Sequence, residues 1–225
     1  MSNYETIVNP HEKSPKLFDN KVLEYLTKTH PLIIDGMYLL IAFFMIRHYV
    51  LEIAQPEWMY ISLLFFLGYF SWTLAEYLLH RFLYHKIKDA SYSSGLQYVF
   101  HGIHHEYPND KERLVLPPIP SLIIAAIFFG LFYLMMGNDS FLFSPGFMIG
   151  YCTYMSIHFM VHKVKPPKNF HFWWTHHNIH HYQQHDRAFG VSTSIWDRIF
   201  RTMPEPNRRT IDIKIERSHH DERNK

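Results

Sequence analysis

The sequence predicts an all-α integral membrane protein, with four transmembrane helices in two hairpins and a histidine-rich helical cap on one face. Three observations lead there. Trp58–Ala75, Leu114–Asn138 and Ser140–Val161 contain no Asp, Glu, Lys or Arg, and a helix needs roughly 20 apolar residues to cross a bilayer core. All but one of the 22 lysines and arginines lie in three stretches outside those runs. Eighteen of the 225 residues are histidine, and ten of them stand in spaced clusters. The mean hydropathy of −0.16 is then the average of greasy helices and a polar cap.

Taken in order, residues 1–31 form a polar segment. A first span from about Leu32 to Ala54 is the weakest, with an uncharged heart of Gly36–Ile46 between Asp35 and Arg47. A link at Pro56 leads into the second span, which closes a hairpin from Leu32 to Leu79. The loop 81–113 follows. A third span from about Ile119 and a fourth ending at His162 make the second hairpin, turned at Gly137-Asn138-Asp139. Buried helices of a soluble protein usually run shorter and need no such pairing. No basic stretch with a small-residue cleavage site precedes the first span, so no removable signal peptide is expected.

Lysine and arginine placement sets the orientation, because cytoplasmic loops carry the excess. Four fall before Leu32, five between Arg81 and Arg113, and twelve from Lys163 onward, and the hairpin tips carry none. Four spans put all three basic regions on the cytoplasmic side. Residues 163–204 then form a cytoplasmic cap, with Trp173 and Trp174 expected at the membrane boundary. Residues 205–225 form a charged tail with a mobile end. The whole of 1–225 is expected to be one domain, 32–162 being its membrane hairpins. The lone Cys152 excludes a disulfide framework and cysteine-based zinc modules. A net charge of +2 is too small to imply a nucleic-acid partner without a local basic cluster, and none is expected.

The histidine clusters are His80-x4-His85, His101-x2-His104-His105, His158-x3-His162 and His177-x2-His180-His181. The topology brings all four to one membrane face. Residues at i, i+3 and i+4 share a helix face, so each triplet is expected to point at one centre. His80 and His85, five apart, require a distorted helix near Phe82. The two triplets resemble each other, as if two half-sites faced one another. Ten imidazoles exceed what one ion coordinates, which implies two metals. His219 and His220 read as a solvated run, and His11, His30 and His48 have no partner in sequence. His171, His176 and His185 lie beside a box, as alternative ligands or groups that back one.

An all-nitrogen set suits iron as well as zinc, but hydrolytic zinc sites keep about three ligands. Two close irons fit activation of O2 and attack on an unactivated C–H bond, in a site reached from the bilayer. Glu76, one turn before His80, and Glu106, next to His105, are candidates to orient an imidazole or to be surface carboxylates. Tyr154, Met155 and Asn178 are further candidates to touch substrate or to back a ligand.

Several stretches resemble the fatty acid hydroxylase/sterol desaturase superfamily, in its fatty acid 2-hydroxylase (sphingolipid alpha-hydroxylase) branch. They are Glu76–His85, His101 through Pro108 to Pro118, Tyr154–His162, and His177–His181 followed by Phe189–Asp197. Leu17-Phe-Asp-Asn and Leu26–Thr29 are similar to the family's entry segment. The resemblance covers roughly Lys16 to Pro204. It implies that the ten box histidines hold two iron ions, which zinc can replace in purified protein. It also implies O2 as co-substrate and oxygen insertion at C2 of a long acyl chain, free or in a ceramide. Electrons would come from a b5-type cytochrome or a ferredoxin with its reductase. Only residues 1–31 precede the first span, so that donor is expected to be a separate protein. The host membrane would be the endoplasmic reticulum in a eukaryote and the inner membrane in a bacterium.

Met155 stands where eukaryotic relatives commonly carry aspartate, which bears on substrate class and regiochemistry. Sterol desaturases and carotenoid or alkane hydroxylases use related boxes and are the alternative enzyme reading. A non-enzymatic metal-binding or transport protein is the other, but transport needs polar ligands along the membrane path, and these hairpins have almost none.

Overall fold

The computed structural model describes residues 6–10, 12–85, 97–206 and 213–215. Helix α1 (Lys21–Tyr25) starts beneath Asn20, whose side chain accepts from the Val22 and Leu23 amides. Helix α2 (Pro31–His48) begins with proline in its first turn, where no amide partner is needed, and continues as a π-helical turn over Tyr49–Ile53. Helix α3 (Trp58–Leu78) runs into a second π-helical turn, Leu79–Tyr84. A third π-helical turn, Tyr98–Gly102, leads into the short α4 (Ile103–Glu106). Helices α5 (Pro118–Met136) and α6 (Ser140–Lys163) follow, then α7 (Phe172–Tyr182) and α8 (Ile195–Ile199). The one departure from an all-helical chain among the described residues is a three-residue parallel pair. Its strands are β1 (Thr6–Val8) and β2 (Ile213–Ile215). The stretch of tail expected to be mobile lies otherwise outside the described residues, as do His11, His219 and His220.

Three helical stretches are long and apolar enough to cross a membrane: Pro31–Ile53, Trp58–Tyr84 and Pro118–Lys163. Their outward faces carry exposed Leu39, Leu40, Phe43, Phe66, Phe70, Ile123 and Ile127. Burial of that apolar surface in lipid is favourable, and the chain is an integral membrane protein. Ring contacts give the directions. His30–Phe159, Tyr38–Tyr151 and His48–Phe141 pair at 5.5, 5.6 and 5.0 Å, so α2 runs antiparallel to α6. Phe132–Phe143 and Phe128–Phe147, at 4.8 and 4.9 Å, fold α5 back on α6. Trp72 meets Phe147 and Tyr151 at 5.1 and 4.9 Å, where α3 lies along α6. At the end remote from the four histidine boxes, the Tyr49 and Tyr60 hydroxyls both donate to Asp139, at 3.0 and 2.7 Å.

The N-terminal segment is strapped to the loop after α4. The Asn9 amide donates to the Glu106 carbonyl at 2.7 Å and the Thr29 amide to that of Glu112 at 2.9 Å. At the centre sits Arg113, its side chain 4% exposed, which donates to Glu24 and Ser14 and lies 3.5 Å from Asp110. Burial would raise the Glu24 carboxyl, but the Leu17 and Phe18 amides and Arg113 hold it below its ordinary range. Removing one partner of a buried ion pair leaves an uncompensated charge. Arg113→Ala should therefore lower stability by about 3 kcal/mol and open residues 12–30 to protease. Thermal unfolding with limited proteolysis checks this, and an unchanged midpoint would refute it.

Trp174 is buried, and its indole donates to the Val164 carbonyl at 2.7 Å, holding α7 against the end of α6. Trp173 is half-buried and donates to the Ser192 carbonyl at 3.3 Å. Both indole N–H groups thus have a backbone carbonyl as partner.

Candidate metal centre

All ten box histidines meet in two adjacent groups of five. His80, His85, His101, His105 and His180 form one; His104, His158, His162, His177 and His181 form the other. Within each group the nearest ring nitrogens all lie within 4.8 Å of one another. Nine of the ten side chains are buried and His162 is half-buried. The groups abut where His105 stacks on His181 at 4.1 Å.

Local structure explains each contribution. His80 and His85 come into line because the helix widens into a π-turn there, and the His85 amide donates to the His80 carbonyl five residues back, at 3.1 Å. A distortion of this kind is what the five-residue spacing requires. His158 and His162 share a face of α6 as an i, i+4 pair.

The triplets differ from the expectation that each would serve one centre. His101 and His105 join His180, whereas His177 and His181 join His104. Each group thus takes the i, i+4 pair of one box and the i+3 member of the other. The reason is angular. Residues i and i+4 diverge by about 40° around a helix, while i+3 and i+4 diverge by about 100°. A helix laid between two centres therefore splits its triplet.

The donor set fits metal ions. In the first group the His80 Nδ1–H donates to the Phe189 carbonyl at 2.5 Å and the His180 Nδ1–H to the Arg187 carbonyl at 2.6 Å. A carbonyl only accepts, so in each neutral ring the lone pair is left at Nε2. Those Nε2 atoms crowd the others: His80 to His101 at 3.0 Å, His80 to His85 at 3.1 Å, His85 to His101 at 3.1 Å, and His180 to His85 at 3.1 Å. Cis ligands on an ion with metal–nitrogen bonds of about 2.1 Å stand about 3.0 Å apart. In the second group both ring nitrogens of buried His181 lack a hydrogen-bond partner among the described residues, a cost that a bound cation relieves. Burial first, then neighbouring imidazoles, hold His85, His101, His104, His105, His177, His180 and His181 well below the ordinary histidine range. They are neutral, as ligation demands. Neither group contains a carboxylate.

The candidates to back the ligands fall out differently. Among the described residues no imidazole is hydrogen-bonded to Glu76. Its Oε1 accepts from the Val191 and Ser192 amides at 2.6 and 2.9 Å, and its Oε2 from the Ser192 hydroxyl. Buried so, it is not a surface carboxylate either. Glu106 accepts from the Tyr98 hydroxyl at 2.8 Å, and Asn178 is exposed. Tyr154 stacks on His158 at 5.7 Å. Tyr154 and Met155 line a cleft whose wall includes His101, His104 and His158. Tyr84, Leu116 and Tyr151 also border a second, apolar cavity, walled by Trp72, Phe128, Phe132 and Phe147.

His176, His185 and His171 belong to neither group. His176 meets Asp197 at 3.1 Å. The His185 and His171 rings donate to the carbonyls of His181 and Lys168, at 2.9 and 2.6 Å. His30 caps α2, accepting from the Leu32 amide at 3.3 Å. Asp197 has no histidine near it in sequence to mark it, although it ends the distal signature Phe189–Asp197. It is fully buried and accepts from the Phe189 and Gly190 amides at 3.0 and 2.9 Å and from the Thr202 hydroxyl at 2.7 Å.

A model of the fatty acid hydroxylase family matches residues 65–202, the stretch that contains every box. The chain belongs to the fatty acid hydroxylase family. It is 37% identical over 158 residues to the fatty acid 2-hydroxylase of Rattus norvegicus, covering 68% of this chain and 42% of that protein. With a dihydroceramide fatty acyl 2-hydroxylase of Arabidopsis thaliana it shares 30% over 200 residues, 85% of this chain and 81% of that one. A solved structure of full-length scs7p, in which only the hydroxylase domain is visible, superposes with a TM-score of 0.75 at 32% identity. It covers 87% of this chain and 74% of that one. The chain spans less than half the length of the rat relative.

Proposed function

We propose that this fatty acid hydroxylase is a membrane di-iron monooxygenase that hydroxylates C2 of a long fatty acyl chain, free or in a ceramide. The observation that carries the reading is the pair of five-histidine groups beside an apolar cleft. The ligands are His80, His85, His101, His105 and His180 at one ion and His104, His158, His162, His177 and His181 at the other. Two irons held there, with O2 as co-substrate, supply the oxidising power for an unactivated C–H bond. Electrons would arrive from a b5-type cytochrome or a ferredoxin with its reductase. The names of the rat and Arabidopsis relatives support C2 and an acyl or ceramide substrate.

The chain's own residues bind, orient and keep water out. The acyl tail lies in the cavity walled by Phe128, Phe132 and Phe147, and its carboxyl-proximal carbons reach past Tyr84 and Tyr151 to the cavity that His101, His104 and His158 border. Met155 packs against that reacting end without adding a charge. The 46-residue stretch Pro118–Lys163 would be about 69 Å long as one helix, over twice a bilayer core. Its reversal at Gly137–Asp139 supports two crossings and four in total, as two hairpins. The basic loops then put the cap, residues 163–204, and the metal centre on the cytoplasmic side of one domain.

Lipid profiling of cells with and without the protein tests this, and absence of any oxygen-dependent 2-hydroxylated product would overturn C2 hydroxylation. Ala125 lines the apolar cavity. Ala125→Phe should shift products toward shorter acyl chains, read as the chain-length distribution in the same spectra.

A further inference from the structure

The two histidine groups are supported unequally. His80 and His180, both of the first group, are the rings whose Nδ1–H groups donate to carbonyls of the loop Arg187–Ser192, through Phe189 and Arg187. In the second group, buried Nδ1 atoms of His104, His177 and His181 have no hydrogen-bond partner among the described residues.

The loop is itself fastened through four successive amides, Phe189 to Ser192. Asp197 takes the Phe189 and Gly190 amides, the Thr202 hydroxyl and His176 into one fully buried carboxylate. Glu76, on α3, takes the Val191 and Ser192 amides. Gly190 lies so close that a Cβ there would stand 2.1 Å from the Thr193 carbonyl oxygen. A loop so tightly held fixes where its two carbonyls point. Those carbonyls set the tautomer and ring plane of two ligands, and loss of such support costs metal affinity about 10- to 100-fold.

We propose that the Arg187–Ser192 loop, clamped by Asp197 and Glu76, selectively retains one of the two metals, the ion held by His80, His85, His101, His105 and His180. This rests on the dimetal reading above. Asp197 and Glu76 are positioning residues, acting through the loop backbone on His80 and His180. The chain then holds two ions of unequal kinetic stability: one behind a clamped loop, one without such a clamp.

The test uses Co(II) loaded into the detergent-purified full chain, with metal content counted per chain and release to a chelator followed by absorbance. The wild type should hold two ions and release them in two phases. Asp197→Asn turns an amide N–H toward the Gly190 amide. It should speed the slow phase about 10- to 100-fold and leave the fast phase at its wild-type rate. In a His180→Ala background only the fast phase should remain and Asp197→Asn should not change it, whereas in a His177→Ala background Asp197→Asn should still speed the one phase that remains. Glu76→Gln, a gentler change, should speed the same phase by less, and covers the case in which Asp197→Asn does not fold. Release of both wild-type ions at one rate would overturn the selective clamp. So would Asp197→Asn leaving the slow phase at its wild-type rate, or speeding both phases equally while still folded. A wild type that takes up no Co(II) would instead overturn the dimetal reading itself.

Discussion

His104→Ala and His180→Ala should each cut hydroxylation at least about 100-fold, and each should leave one metal per chain. The two residues lie in different groups, so the double variant should hold none. Neither change should disturb membrane insertion, because the apolar stretches that carry it are untouched. His219→Ala, in the charged tail, is the control and should alter neither metal nor turnover. Removing either group should abolish the same reaction, since the groups share a border at His105 and His181 and the cavity beside them is walled by members of both. Metal content and product yield measured on one preparation decide it. Full turnover by His180→Ala would refute the ligand assignment.

The parts of this result legible in the sequence are those written in local chemistry. Charge-free runs mark α3, α5 and α6 closely, because lipid penalises a buried charge wherever it falls. The five-residue gap between His80 and His85 forces a distortion, and the π-turn supplies it. The ten ligand candidates are legible for the same reason: spacing is a property of a helix taken alone.

What is not legible depends on where a helix lies relative to others. The i, i+3, i+4 spacing allows a triplet to face one centre, and only the position of α4 and α7 between two centres splits it. The backing of His80 and His180 is hidden more thoroughly, because it comes from the backbone carbonyls of Phe189 and Arg187, and a carbonyl carries no residue signature. Glu76 stands out in the sequence by its place one turn before His80, yet that place points to the wrong partner. Its partners are backbone amides 115 and 116 residues away, a separation that spacing arguments do not reach. Trp174 shows the same limit, since an indole suits a membrane boundary and a buried carbonyl equally well.

Gly146→Val should be the most damaging change outside the histidines. A Cβ at Gly146 would stand 1.8 Å from the Phe65 carbonyl oxygen, and one at Gly68 would stand 2.0 Å from that of Phe143. Gly150, one turn on, faces the Trp72 Cβ at 2.6 Å. Backbone meets backbone at Gly146 and Gly68, so no side chain can rotate away to make room. Membrane helices use small residues four apart to approach in this way. Overpacking such a contact costs about 3 kcal/mol or more, a large fraction of a total stability of about 5–15 kcal/mol. The crossing also sets the site, since α3 leads into His80 of the first group and α6 carries His158 and His162 of the second. Prising the helices apart moves the two groups apart. Gly146→Val should therefore lower the thermal midpoint and the yield of monodisperse protein, and what survives should hold less than two metals per chain. At Gly130 a Cβ would meet nothing within 4 Å, and alanine favours a helix by about 1 kcal/mol over glycine. Gly130→Ala should thus leave stability unchanged or raised, and a Gly146→Val protein as stable as that control would refute the account of the crossing.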